Sequence, residues 1–378
     1  MQYDFIVVGA GIVGASVAYE LGRSGRVCVI EQEPQPAMHA TGRSAALFAP
    51  TYGGRAIRAI TRASRSFFDR PPTGFCQTAL LKARGCLYIA RTDQRASLSR
   101  MVEDIRTSGG RVELLEREAT LEQLPLLRRG YLAQAALDSD AMDIDVDALH
   151  RGFLRGARAT GGVLVINQPV TRAQRRQGLW SIDCGDDRAE APVLINAAGA
   201  WADQVAVACG ARAIGLKPLR RTALLVDPPA AADIKSWPAV IDADEQFYFK
   251  PEAGRLLLSP ADETPDVAGD AQPDEFDIAV CIDRVEAALD IEVSKVSHRW
   301  AGLRTFSSDR APVIGFDPAV EGLFWCAGQG GYGIQTAPAL SRCAAALAKH
   351  EPLPADVASE GLTAEEISPH RFAEKRSR

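Results

Sequence analysis

Three unbroken apolar runs punctuate the chain, and each opens directly onto glycines and then onto a segment rich in small residues. The first is Phe5-Ile6-Val7-Val8, followed by glycines at 9, 11 and 14. The second is Val193-Leu194-Ile195, leading through Asn196 to Gly199 and Trp201, and the third is Leu323-Phe324-Trp325-Cys326-Ala327 ahead of Gly328 to Gly333. A short run with no polar alternation reads as a strand buried on both faces, the habit of parallel sheets covered by helices. The pattern therefore predicts strand, glycine turn and helix three times, with Ile334 to Leu347 as the last, alanine-rich helix.

The first turn carries the most chemistry. Gly9 permits a tight turn, Gly11 lets the backbone approach a phosphate without an intervening Cβ, and Gly14 lets the helix pack close to the sheet. The helix through Ala15, Ser16 and Ala18 ends near Gly22, and a second strand from Arg26 to Ile30 ends on Glu31. An acid there is placed to accept hydrogen bonds from a ribose hydroxyl, so the unit predicts a dinucleotide with its pyrophosphate on the helix N-terminus. Three such turns suit a long cofactor, and the C-terminal helix would aim its positive end at the cofactor's other end.

Between these turns the pattern changes. Thr41-Gly42-Arg43-Ser44-Ala45-Ala46 reads as a second loop opening a helix. Residues 80 to 135 read as a separate lobe, with a strand at Cys86 to Ala90, a helix at Asp93 to Ser108 and an acidic connector. A helix from Asp143 to Ala159, a strand from Gly162 to Ile166 and hairpin strands at Leu179 to Cys184 and Arg188 to Pro192 lead back to the first domain. From Arg220 to about Trp300 alternation dominates, with strands at Thr222 to Val226, Gln246 to Lys250 and Arg255 to Ser259. These predict an antiparallel sheet able to roof a flat ligand.

Composition narrows the class. The 378 residues are 47% hydrophobic and 24% charged, enough for a large core in two interleaved domains, and the net charge of -5 offers no basic surface for nucleic acid. No apolar stretch approaches a membrane span, and the first strand is needed in the fold, so it is not read as a signal peptide. The eight cysteines contain no Cys-x-x-Cys pair and read as reduced core residues of a cytoplasmic protein, and no metal site is expected.

The segments Gly9-Ala10-Gly11-Ile12-Val13-Gly14-Ala15-Ser16, Thr41 to Ala46, Asn196-Ala197-Ala198-Gly199-Ala200-Trp201, Phe247-Tyr248, Trp300-Ala301-Gly302-Leu303-Arg304 and Gln329 to Thr336 together resemble the FAD-dependent amine and D-amino-acid oxidoreductases. That group includes D-amino-acid oxidase, glycine oxidase and sarcosine oxidase, and within it the likeness is greatest to D-arginine dehydrogenase. The resemblance implies an α/β fold with a Rossmann-like FAD-binding domain at 1–80, 138–215 and 301–378. A mainly antiparallel substrate-binding domain would occupy 81–137 and 216–300. It further implies noncovalent FAD, hydride transfer from Cα to flavin N5, and hydrolysis of the imino acid to a 2-oxo acid and ammonia. The electrons would pass to oxygen or a quinone-type acceptor.

By the same resemblance the FAD would be held by Gly9, Gly11, Ile12, Val13, Gly14, Glu31 and Gln32, and by Thr41, Gly42, Arg43, Ser44, Ala45, Ala46 and Leu47. Val170, Ala198, Gly199 and Trp201 would join them from mid-chain, and Gly330, Gly331, Tyr332, Gly333, Ile334, Gln335 and Thr336 from the C-terminal turn. An arginine fork matches a carboxylate, so Arg221 and Arg304 are candidates to anchor a substrate carboxylate, with Arg220 competing for the first role. Alternation sets Tyr248 on the face opposite Phe247 and Phe249, where its phenol could meet a carboxylate or amine. Tyr52, Gly331 and Gln335 complete the expected catalytic group, Tyr52 as a loop tyrosine covering the site.

Two departures bear on the substrate. Cys86 stands where an acid would pair with a cationic side-chain tip, and Leu47 stands where the pattern has histidine. Both changes remove polarity, so uncharged D-amino acids are expected over D-arginine, because a buried unpaired cation costs several kcal/mol. Asp242 is expected to face away if Ala239 and Ile241 face inward. The alternative is a secondary amine or 2-hydroxy acid oxidised on the same fold. An NAD reductase would leave the later motifs without a purpose, and the acidic charge opposes a tRNA-modifying module.

Overall fold

The structure, a computed structural model, describes residues 1–184, 187–230 and 232–372. Phe5–Val8 lies at the centre of a six-stranded sheet, between Val27–Ile30 and Val193–Asn196. Val163–Val165 extends one side and Leu323–Ala327 the other, all in parallel, and Val313–Phe316 closes the edge antiparallel to Leu323–Ala327. The unbroken apolar runs follow from cover on both faces. The helices Ile12–Leu21, Val146–Ala159 and Gly333–Ala348 lie on one, and the small sheet carrying Trp180 and Ile182 on the other, with the helix Ala202–Ala208. Ile6 and Val7 are fully buried, and each contributes roughly 1.5–3 kcal/mol on leaving water.

A second sheet stands over this layer. Its main order is Gln329–Gly330, Val296–Phe306, Lys217–Val226, Arg255–Ser259, Tyr248–Glu252, Ala239–Asp242, Cys86–Ala90, Gln134–Asp138 and Glu113–Leu115. All neighbours are antiparallel except Ala239–Asp242 beside Cys86–Ala90. The helix Glu275–Ala288 covers one face, packing Ile278, Cys281 and Val285 on Leu224, Leu256 and Leu258. The other face looks back at the glycine turns. The long strand Val296–Phe306 carries this sheet past residue 301, and Gln329–Gly330 pairs onto its end, so the two proposed domains share a hydrogen-bonded edge.

Two local expectations are corrected. Thr41–Ala46 opens no helix; it turns into the short strand Leu47–Phe48, which pairs with Met142–Ile144, and the next helix is Arg55–Asp69. The Thr41 hydroxyl and Arg43 guanidinium are engaged in long-range contacts, and the backbone there closes a turn in which Gly42 and Arg43 donate to Ala37 O and His39 O. Asp143 lies in a strand rather than a helix, held by Lys250 and Arg84, and the helix starts at Val146 after Asp145, whose carboxylate accepts from the Ala148 N–H. The turn of the predicted 179–192 hairpin lies outside the described residues. Among those described, no helix is long and apolar enough to cross a membrane.

Candidate functional site: a dinucleotide cradle and a side-chain chamber

A cavity of about 400 Å³ runs between the first sheet's glycine turns and the underside of the second sheet. Gly9 has φ +99°, and a Cβ there would lie 2.6 Å from the Ala197 carbonyl oxygen, so both conformation and space demand glycine. Gly14 does not line the cavity. A Cβ there would be 1.8 Å from the Gly9 oxygen, which makes its role the close seating of the helix. At Gly11 the nearest atom is Thr41 Oγ1, 3.2 Å from a built Cβ, and the same oxygen accepts from the Ile12 N–H at 2.9 Å.

Glu31 closes the turn from the second strand. Its Oε2 accepts from the Ala10 N–H at 2.7 Å and its Oε1 from the Glu33 N–H at 3.0 Å. His150 Nε2 lies 2.9 Å from the Ala10 oxygen, and burial lowers this imidazole's pKa, which favours a neutral ring donating to that carbonyl. Sequence reasoning missed His150, because nothing in its helix marks the distant turn it meets.

Most of the cofactor residues expected from sequence line the large cavity. Gly42, Tyr332 and Thr336, like Gly14, do not. Gly42 donates to Ala37 O, Tyr332 packs with Ile57, Leu219 and Phe306, and the Thr336 hydroxyl donates to Tyr332 O. Ala46, Leu47 and Gln335 line a smaller chamber instead. Arg43 lines the large cavity and also clasps the second sheet, donating to Ala271 O and Ala301 O and pairing with Asp270, while Trp300 Nε1 donates to Arg43 O at 2.9 Å. His39 and Thr305 join the wall without having been singled out, and so does Gln329, named from sequence only as part of the C-terminal motif.

Thr305 Oγ1 and Gln329 Nε2 are buried without a hydrogen-bond partner among the described residues. Buried polar atoms are normally satisfied, so this pair fits a ligand with a polar edge between the sheets, as a flavin ring has. No cysteine lines either cavity; Cys326 is a core residue.

The smaller chamber, about 80 Å³, adjoins the first and brings together Tyr52, Arg221, Tyr248, Arg304, Gly331 and Gln335. Strand register accounts for the arginines. Arg221 pairs with Gly302 and Leu219 with Arg304, so the two side chains project from the same face one diagonal apart. Tyr248, opposite Ser259, falls on that face too. Arg220 points the other way and pairs with Asp277 at 2.7 Å, which removes it from contention.

Arg304 has no carboxylate within 4 Å among the described residues. The phenols of Tyr52, Tyr248 and Tyr332 surround it. A Cβ on Gly331 would lie 2.8 Å from the Arg304 guanidinium carbon, so glycine at 331 provides the space for that charge. Arg221 sits over the Tyr248 ring at 5.9 Å. The Tyr52 and Tyr332 rings meet edge-on at 5.2 Å, and burial first, then the charge of Glu245, raises the Tyr52 pKa, which keeps the phenol protonated.

The Tyr52 segment is tied at two points. Gln335 Oε1 accepts from the Ala49 N–H at 3.0 Å, and Thr51 Oγ1 donates to the buried Asp138 carboxylate at 2.5 Å. Gln335 Nε2 is buried with no partner among the described residues.

The chamber's far wall is Leu47, Ala49, Ala239 and Ile241, with Glu245 and Lys250. Cys86 does not reach it, which corrects the sequence expectation. Paired alongside Ala239, it packs beneath the wall with Ala49, Tyr88 and Ala136, and burial raises its thiol pKa. Asp242 faces away as expected, accepting from Gln94 Nε2 and the Asp244 N–H. The acid at the lip is the exposed Glu245, in a turn that the Asp242 carboxylate organises. Its signal was the acidic stretch just ahead of Phe247-Tyr248.

A Rossmann-like layer with a polar-edged cradle beneath an antiparallel sheet defines a dinucleotide-binding oxidoreductase. The chain belongs to the family described as FAD dependent oxidoreductase, which matches residues 4–347, and it is FAD-dependent. It is 27% identical to a glycine oxidase of Bacillus licheniformis, covering 89% of this chain and 90% of that one. It is 25% identical to the mitochondrial dimethylglycine dehydrogenase of Rattus norvegicus over 88% of this chain, which spans 41% of that protein's length. The crystal structure of glycine oxidase from Geobacillus kaustophilus superposes with a TM-score of 0.82, at 24% identity, over 96% of this chain and 99% of that one, a likeness of fold.

Proposed function

We propose that this chain oxidises the amine of a small D-amino acid with an uncharged side chain, yielding an imino acid that water hydrolyses to a 2-oxo acid and ammonia. The observation that carries the reading is Arg304, a cation inside a small chamber, ringed by phenols and lacking an acidic partner. Leaving such a charge unpaired is costly, and a bound carboxylate supplies what the chamber lacks. FAD, held noncovalently, supplies the two-electron acceptor for the Cα hydrogen.

The protein's share is placement. Arg304 and Arg221 hold the carboxylate, Tyr248 and Tyr52 donate hydrogen bonds and exclude water, and the Gln335 amide offers its free N–H₂ to substrate or flavin. The apolar part of the far wall, Leu47, Ala49, Ala239 and Ile241, receives the side chain, with Glu245 exposed at the lip and Lys250 already paired with Asp143. The preference for an uncharged side chain rests on that wall and no longer on Cys86. Substitution of Cys86 by an acid would bury a second carboxylate beside Asp138 rather than furnish the chamber. D configuration, like the kinship to D-arginine dehydrogenase, is carried over from the resemblance.

The match to dimethylglycine dehydrogenase supports a second reading, in which the donor is an N-methylated glycine. Anaerobic bleaching of the flavin colour against D- and L-amino acids, sarcosine, dimethylglycine and 2-hydroxy acids separates the two. Bleaching by neutral D-amino acids supports the first reading. Bleaching by sarcosine or dimethylglycine alone replaces it with the second, and bleaching by none of these carboxylates sinks both.

A further inference from the structure

The second chamber arginine, Arg221, differs from Arg304 in having an acid of its own. Its Nη2 lies 3.2 Å from Glu263 Oε1, its side chain is 7% exposed, and its Nε is buried without a partner among the described residues. A carboxylate that close to a group meant to receive another carboxylate would weaken the seat unless its charge were cancelled. Arg310 is positioned to cancel it. Its Nη2 lies 2.7 Å from Glu263 Oε1 and its Nη1 3.0 Å from Oε2, a two-pronged grip, and its guanidinium rests on the Phe306 ring at 3.9 Å.

Burial opposes the charge on Glu263, but the hydrogen bonds and charge of Arg310, then the charges of Arg221 and Arg304, outweigh it and hold the carboxyl below its ordinary pKa. One Glu263 oxygen is thus shared between a chamber arginine and an outer arginine.

We propose that Glu263 and Arg310 are positioning residues: Glu263 fixes the Arg221 fork, and Arg310 neutralises Glu263 so that Arg221 keeps its full attraction for the substrate carboxylate. This rests on the carboxylate seat proposed above. It explains why a chamber built for an anion tolerates an acid against its wall, and it makes Arg310, which lines neither cavity, a determinant of substrate affinity.

A charge cycle on the FAD-loaded enzyme tests it, with propionate and its uncharged analogue propionamide titrated against the flavin absorbance, so that no turnover is needed. Arg310→Ala should raise the propionate Kd about 3- to 10-fold, because the uncovered Glu263 now repels the anion, and leave propionamide unchanged. Arg310→Lys should stay within about twofold of wild type. In the double variant Arg310→Ala with Glu263→Gln, propionate affinity should return to within about twofold of wild type, since the amide still accepts from Arg221 but repels nothing.

A merely structural role predicts that the double variant is worse than either single one. That result, or an Arg310→Ala enzyme binding propionate normally, overturns the inference while leaving the seat in place. Wild-type enzyme that binds propionate no better than propionamide overturns the seat itself, and this inference with it.

Discussion

The two cavities recognise their contents by different means. The large one is formed at its glycine-turn end by backbone, where Gly9 and Gly11 line the wall and Gly14 behind it seats the helix against Gly9. The small one is formed by charged and phenolic side chains that reach in from four separate stretches of chain. The difference is one of failure mode. A backbone cradle fails by steric filling and takes the fold's hinge between sheet and helix with it. A side-chain chamber fails one functional group at a time, with the scaffold intact.

The most damaging change should be Gly14→Val. The new side chain would collide with the Gly9 carbonyl, and the expected result is protein without flavin, measured by the ratio of 450 nm to 280 nm absorbance. Normal flavin content would break the comparison outright. Next comes Arg304→Ala, which should retain flavin and lose roughly 2–5 kcal/mol of transition-state binding, about 30- to several-thousand-fold in kcat/KM toward amino acids. Loss of flavin from this variant would mean that the two cavities are not separable.

Gly331→Ala is smaller again. Its methyl displaces the Arg304 guanidinium without deleting it, so a rise in KM of roughly ten- to a hundred-fold with flavin retained is expected from steady-state kinetics.

A change outside both cavities sets the scale. Asp309 is paired with Arg371; burial raises its pKa, but the Arg371 and Ser307 hydrogen bonds prevail and bring it to about 2, below the ordinary 3.8. The stabilisation it gives is complete above the ordinary value and is lost as the pH falls toward 2. Arg371→Ala should therefore lower the Tm slightly at pH 7, with normal flavin and kinetics, and the difference from wild type should shrink below about pH 4.

Local motifs explain the first cavity far better than the second, although all six residues expected in the second do line it, and the reason is physical. Strand, glycine turn and acid lie within about thirty consecutive residues, so their geometry is local. That Arg221 and Arg304 share a face depends instead on the register between Lys217–Val226 and Val296–Phe306, and on a parity that puts Arg220 outside. Resemblance selected the residues, but only the pairing explains the selection.

Cys86 misled for a related reason. It lies in a predicted strand, but the strand beside it covers it with Ala239. The Thr41–Ala46 segment misled because its hydroxyls suit a helix cap, while Thr41 instead serves a helix twenty-nine residues earlier, by way of Ile12.

The amide of Gln335 belongs to both the chamber and the Tyr52 segment. Its oxygen holds the Ala49 N–H, while its nitrogen is buried without a partner among the described residues, on a side chain that lines the chamber. A planar amide cannot turn one end without the other. A ligand that accepts from the nitrogen therefore also fixes the oxygen on Ala49, and a filled chamber protects that backbone hydrogen from exchange with solvent. Occupancy becomes readable, without catalysis, as slowed deuterium uptake at one strand end beside the tyrosine.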